Sequence, residues 1–172
     1  GKTFSNTYLL ESGFYWGGIC VEPLPKEFEL CKKLRKNSIC KNVAIYDSEG
    51  TVDFTQIEGD YNMYSGISKD INHHKEITQQ YGKVVSVPTI TLQKLLDECE
   101  APKYIDFLSL DTEGSELKIL QSVDHTKYKF RYITLEHNFK EPIRTEIRKF
   151  LREKGYAYVG ENQWDDMYTY DC

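Results

Sequence analysis

The sequence predicts a doubly wound α/β domain, and three observations carry that prediction. Short apolar runs alternate along the chain with segments of helical period. Several of the runs stop abruptly at an acid, as at Val21-Glu22-Pro23, Leu110-Asp111 and Leu135-Glu136. The 172 residues amount to one domain, against about 150 residues for a typical one.

The elements follow in order. Thr3 to Phe14 has helical spacing, with Thr3 or Ser5 as N-cap and Tyr8, Leu9 and Phe14 among its apolar positions, and it ends in the glycines from Gly13 to Gly18. In a wound sheet such a helix follows a strand and a Gly-rich turn. That places the first strand ahead of residue 1, so residues 1–172 read as a single domain incomplete at its amino end. Gly18 to Pro23 is a buried parallel strand. Pro25 opens a helix through Lys36 that carries Phe28, Cys31 and Leu34 on one face.

Asn42 to Tyr46 is a third strand, Asp47-Ser48-Glu49-Gly50 is a turn, and Thr51 to Ile57 alternates as its hairpin partner. From Glu58 to Gly82 the pattern is broken by Gly59, Asp60, Asn62, Gly66 and Asn72; long irregular segments inside a domain are often functional. Lys83 to Thr89 is a strand, and Leu92, Leu95 and Leu96 mark a helix that stops near Pro102. Ile105 to Asp111 is the strongest strand signal and leads into a helix over Ser115 to Ser122. Phe130 to Glu136 repeats the arrangement, and Ile143 to Lys154 is an amphipathic helix closed by Gly155. Tyr156 to Gly160 and Met167 to Tyr170 make an antiparallel closing pair around Glu161-Asn162-Gln163. The whole is a mostly parallel sheet with an antiparallel carboxyl-terminal strand.

Composition removes several functional classes. There are 22 Lys and Arg against 27 Asp and Glu, a net charge of −5, and no basic stripe gathers phosphates, so nucleic acid is not the partner. The uncharged stretch from Val84 to Gln93 is only ten residues and holds Ser, Thr, Gln and Pro, far short of the roughly 18 apolar residues of a membrane span. Cys20, Cys31, Cys40, Cys99 and Cys172 are odd in number and include no Cys-x-x-Cys pair. Reduced thiols in the cytoplasm fit them better than a disulfide framework or a zinc ribbon.

Ligands of wound sheets sit beyond the carboxyl ends of the strands, so the strand-end residues are the candidates. Glu22 is placed to accept hydrogen bonds from the two ribose hydroxyls of an adenosine cofactor, a geometry shared by NAD and S-adenosylmethionine folds; its alternative is a solvated strand-end acid. Asp111 and Glu113 face the cleft as partners for a cationic group, a metal or a proton, Glu113 having helix capping as its alternative. His137, between Glu136 and Asn138, has the pKa to take a hydroxyl proton. Asp111, Glu136 and Asn138 also make an oxygen set suited to Mg²⁺ or Ca²⁺. His73 and His74 are adjacent and read as solvated loop residues. No Gly-x-Ser-x-Gly elbow, Walker loop or His-Glu-x-x-His is present.

The runs Thr3-Phe4-Ser5-Asn6-Thr7-Tyr8-Leu9-Leu10-Glu11, Trp16-Gly17-Gly18-Ile19-Cys20-Val21-Glu22-Pro23, Phe107-Leu108-Ser109-Leu110-Asp111-Thr112-Glu113-Gly114-Ser115-Glu116 and Leu135-Glu136-His137-Asn138 together resemble the FkbM-type methyltransferases, and the similarity extends to Asp165-Asp166-Met167-Tyr168. The resemblance implies a Rossmann-like class I fold and S-adenosylmethionine-dependent methylation of a hydroxyl, usually of a sugar or natural product. Members of that family occur alone or covalently linked to glycosyltransferase domains, in microbes and large viruses, so the resemblance fits a domain cut from a longer chain, with the host cytoplasm as the compartment in the viral case.

Carried onto this sequence, the resemblance gives Glu22 and Pro23 to the ribose and Asn42, Val43 and Ala44 to the adenine. Gly1, Thr3, Ser5 and Asn6 lie at the methionine end. Asp111 and Glu113 face its amino group, the substrate or a metal, while His137 and Glu136 meet the acceptor hydroxyl. Tyr61, Tyr64 and Ser65 form a wall for a sugar. S-adenosylhomocysteine would be the product, with a divalent metal left open. Two rivals share the fold: an NAD-dependent oxidoreductase, and a non-catalytic carbohydrate-binding or assembly module.

Overall fold

The computed structural model describes residues 5–71 and 75–170. Its first helix, α1 (Tyr8–Phe14), starts later than the sequence pattern suggests, because the hydroxyls of Ser5 and Thr7 are taken by a guanidinium, Nη2 of Arg35, at 2.5 and 2.9 Å. Tyr15 closes the helix in left-handed backbone, its N–H bonding to the Glu11 carbonyl. β1 (Gly18–Val21) and α2 (Pro25–Leu34) follow as the pattern requires, with Pro25 in the first turn of α2.

β2 (Ser38–Lys41) was not legible as a strand. It pairs in parallel with β1, Cys20 opposite Cys40. The chain leaves this ladder at Asn42, whose amide donates to the carbonyls of Glu22 and Pro23 at 2.8 and 2.9 Å, and resumes as the separate β3 (Ala44–Tyr46).

β4 (Gly50–Gln56) is not the hairpin partner of β3. The nine-residue β6 (Lys83–Thr91) lies between them, parallel to β3 and antiparallel to β4, because the Val- and Ile-rich β6 offers β4 seven pairing positions. The irregular segment holds a 3-10 turn (Gly59–Tyr64), the short β5 (Gly66–Ile67) on the edge of β4, and α3 (Lys75–Tyr81). His73 and His74 fall outside the described residues.

α4 (Leu92–Glu98) is capped by the Thr91 hydroxyl, which accepts the Lys94 N–H at 3.1 Å. β7 (Tyr104–Leu110), α5 (Glu116–Gln121), β8 (Lys129–Glu136), α6 (Ile143–Glu153), β9 (Ala157–Asn162) and β10 (Asp165–Thr169) complete the chain. β7 and β8 are parallel; β10 runs antiparallel to both β8 and β9, giving the order β7-β8-β10-β9.

The mixed α/β class is observed, but the ladders form three sheets rather than the expected single one: β1-β2, β3-β6-β4-β5 and β7-β8-β10-β9. The larger core unites them, with Ile119, Leu120, Phe130, Ile133 and Leu151 fully buried and Ile19, Val21, Ile45 and Ile105 packed against it. Leu24, Tyr46, Phe54 and Ile67 make a second core under β4 and β5. Among the described residues no helix is long and apolar enough to cross a membrane.

Candidate functional site

The parallel pair β7-β8 ends with Leu110 opposite Leu135, so Asp111 and Glu136 leave the two strands side by side. Asp165, at the start of β10, stands opposite Glu136. The chain then turns at Glu113, a non-glycine residue held at φ 60, which brings its buried side chain back to the strand ends. Carboxylate oxygens of Asp111, Glu113 and Glu136 come within 4.8 Å of one another.

Glu116, which sequence reasoning did not single out, builds this turn. Its buried Oε1 accepts the Thr112 N–H at 2.8 Å, the Thr112 hydroxyl at 2.9 Å and the Gly114 N–H at 3.3 Å. Glu116 thus ties down the turn before α5, whose N-cap has no side-chain hydrogen bond, and Glu113 belongs to the cluster.

The electrostatics follow from this crowding. Asp111 is exposed at its strand end, yet desolvation by the surrounding protein raises its carboxyl to about 6, with the charges of Glu113, Glu116 and Asp165 adding to it and a hydrogen bond with Glu136 opposing. Burial, then the charge of Asp111, pushes Glu136 much further up. Burial also raises Asp165. Asp111 and Glu136 are thus both held above the usual carboxylate range, and the two are hydrogen-bonded to each other. No described lysine or arginine forms an ion pair with either group.

Asn6 ties the amino-terminal segment to this edge, its amide donating to the Ser109 hydroxyl at 3.1 Å and bonding Asp165. Ser5, expected beside it, is bonded to Arg35 instead. Arg35 is 5% exposed and Glu11 6%; their charged groups lie 3.5 Å apart, and Glu11 also accepts the Asn37 N–H and the Ser38 hydroxyl at 2.7 and 2.6 Å. Gly1 and Thr3 fall outside the described residues.

His137 is 5% exposed. Nδ1 accepts the Phe139 N–H at 2.9 Å, so the neutral ring carries its hydrogen on Nε2, which faces Asp166 at 3.7 Å without a hydrogen bond. Burial and Arg144 hold the imidazole pKa below its ordinary value. Asp166 itself is committed to Arg144 and Arg148, each of which donates to both of its oxygens. Asn138 and Phe139 follow in left-handed backbone, φ 44 and 53, and a small cleft of about 20 Å³ lies between Glu116, Glu136, His137, Asn138, Lys140 and Arg144. Asn138 lines this cleft, while the third carboxylate of the acid cluster is Glu113.

The adenosine candidates meet at the ends of β1 and β2. Glu22 accepts the Leu24 N–H on Oε1 at 3.0 Å, burial raises its pKa, and Oε2 makes no hydrogen bond among the described residues. Asn42 clamps the backbone beside it. Val43 packs against the larger core, and the Ala44 methyl is buried in the second. Of the tyrosine wall, Tyr61 and Tyr64 stack, whereas the Ser65 hydroxyl is spent on the Ile57 backbone at 2.9 Å.

The model of the methyltransferase FkbM domain matches residues 1–158 of the 172. The chain belongs to the FkbM methyltransferase family. Methyl transfer, with the S-adenosylmethionine use general to methyltransferases, is thus the coarse activity of this FkbM domain. Comparison with curated proteins and with solved structures gave no match. The FkbM assignment covers α1 through the start of β9, and so takes in both strand-end clusters.

Proposed function

We propose that this FkbM domain is an S-adenosylmethionine-dependent O-methyltransferase acting on a hydroxyl of a sugar or glycan, on a Rossmann-like frame. The observation that carries the reading is the convergence of Asp111, Glu113 and Glu136 with no described basic side chain to neutralise Asp111 or Glu136. Crowded carboxylates of this kind favour a cationic occupant, and the ammonium and sulfonium of the cofactor are both cations. Glu22, Pro23, Asn42, Val43 and Ala44 would hold its adenosine end, with Glu22 Oε2 as hydrogen-bond acceptor. Asn6, with Ser5 behind it and Gly1 and Thr3 ahead, would border its methionine end. The cofactor supplies, when bound, a methyl group already activated on sulfur.

What remains for the protein is alignment and removal of a proton. The hydrogen-bonded pair of Asp111 and Glu136, both raised above the usual carboxylate range, is the proton acceptor for the hydroxyl. His137 borders the same cleft with its Nε2–H turned to Asp166, and it positions the end of β8 that carries Glu136. Mg²⁺ or Ca²⁺ would take the same three carboxylates and would displace the Glu136 proton on binding.

Titration calorimetry with S-adenosylmethionine, S-adenosylhomocysteine and NAD, with and without Mg²⁺, followed by label transfer from methyl-labelled cofactor to a sugar panel, tests the reading. Binding of the first two compounds and label on a sugar oxygen are expected. Binding of NAD alone, or cofactor binding with no acceptor among hydroxyl compounds, would overturn it. Within a working assay, His137→Ala lowers kcat far more than cofactor affinity, and Glu22→Ala does the reverse; equal loss of both in either variant contradicts these roles.

A further inference from the structure

A second set of residues, away from the acid cluster, has the chemistry of a carbohydrate site. Tyr61 stacks on Tyr81 with centroids 5.7 Å apart and planes 25° apart, and on Tyr64 at 6.3 Å and 22°. Two of these rings are exposed, Tyr61 at 44% and Tyr81 at 52%. Next to Tyr81 is a concave space of about 390 Å³ lined by Gln56, Glu58 and Lys83, within the usual range of about 300 to 1,000 Å³ for small-molecule sites.

We propose that Tyr61 and Tyr81, with Gln56, Glu58 and Lys83, form a subsite for a neutral hexopyranose ring of an oligosaccharide, distal to the sugar that is methylated. The last clause rests on the glycan reading given above. The aromatic faces carry the negative side of the ring quadrupole, which suits the C–H face of a pyranose. The three polar side chains supply an acceptor, a donor and an amide that is both, the complement of sugar hydroxyls that donate and accept at once. A polyanion is disfavoured by Glu58 and by the net charge of −5.

Continuity of the chain links this subsite to the acid cluster. The 3-10 turn bearing Tyr61 and Tyr64 runs directly into Gly66, which is packed so closely on Glu113 that a Cβ at residue 66 would lie 3.0 Å from the Glu113 Cβ. Ser65 locks the turn to Ile57, and the Asp70 carboxylate accepts the Ser115 hydroxyl at 3.4 Å and pairs with Lys118. One segment therefore carries the tyrosines at one end and touches Glu113 at the other.

The test is ligand-observed NMR on the full chain without cofactor, using cellotetraose, maltotetraose and chitotetraose, with choline as a cationic control. At least one tetrasaccharide should bind saturably, with saturation transferred to its ring C–H protons. Tyr81→Ala and Tyr61→Ala should weaken binding about tenfold, Tyr81→Phe should retain it, and the exposed Glu58→Ala, which leaves the aromatic packing intact, should weaken it about threefold. Absence of binding for all three sugars, binding indifferent to Tyr61, Tyr81 and Glu58, or preferential binding of choline overturns the proposal. Tyrosine-dependent binding of a sugar that is never methylated supports the subsite while refuting the glycan-methylation reading. Methylation of an oligosaccharide with KM unchanged in Tyr81→Ala and Glu58→Ala refutes the subsite alone.

Discussion

Replacing Arg35 by Met tests whether a buried ion pair holds the amino-terminal segment against the domain. The guanidinium donates to Ser5 and Thr7 through Nη2 and faces Glu11 through Nη1, so the substitution orphans two hydroxyls and leaves a carboxylate buried without its cation. Breaking one side of a buried pair costs about 3–5 kcal/mol. Glu11 keeps the Asn37 N–H and the Ser38 hydroxyl, which offset part of its burial, so the lower end applies, about 3 kcal/mol. In a chain of this size that is a fall in Tm of about 6–12 °C. Thermal unfolding followed by circular dichroism reads it directly. The double variant Arg35→Met with Glu11→Met removes both charges and should regain at least half of the loss. A drop under about 3 °C in the single variant, or a double variant as unstable as the two singles summed, would refute the argument that charge pairing fixes this segment.

Three further outcomes follow from the same geometry. The kcat of methyl transfer should rise with pH through an apparent pKa near 6, as Asp111 becomes free to accept a proton, and Asp111→Asn should abolish that step along with the activity; a flat profile between pH 5 and 8 contradicts the base assignment. Burial opposes the ionised form of Asp166, but hydrogen bonds from Arg144 and Arg148 overcome it and hold its pKa near 2. Its folded pKa is thus below the unfolded one, so the stabilisation is present above about pH 4 and is lost as pH falls toward 2, and Asp166→Asn should flatten that acid limb in denaturant unfolding. Gly66→Ala places a methyl against Glu113 and Ile71, and should cost about 1–3 kcal/mol by overpacking while lowering kcat; an unchanged Tm would show that the segment yields.

The strand-end residues were legible in the sequence because a buried parallel strand must run apolar until it leaves the core. Leu110-Asp111 and Leu135-Glu136 mark that point on adjacent strands, and their pairing follows from the parallel register. β2 was not legible because Ser38-Ile39-Cys40-Lys41 is short, and Ile39 is largely exposed. The partner of β4 was misassigned for a related reason: a turn signal at Asp47 to Gly50 reports a reversal of the chain, not which strand fills the neighbouring place. Glu116, Arg35 and Asp166 were invisible as organisers, since each acts on groups far away in the sequence or on backbone N–H groups that leave no mark in it. The hydroxyl of Ser5 illustrates the difficulty, reading as a cap or a cofactor ligand until the position of Arg35 is known.

The two carboxylate groups at the edge of the β7-β8-β10-β9 sheet carry opposite assignments. Asp166 is buried, has its charge matched by two arginines, and is held near pKa 2. A cation arriving there would have to displace Arg144 and Arg148, so the grouping of His137, Glu161 and Asp166 is an internal brace, although its donor types alone would suit a metal. Asp111 and Glu136 have no such counter-charge among the described residues, and they relieve their repulsion by sharing a proton. A shared proton is a weaker solution than an arginine, and a cation from outside improves on it. Donor type therefore does not separate the two clusters, whereas unmatched charge does, and it directs the cationic end of a ligand to the ends of β7 and β8.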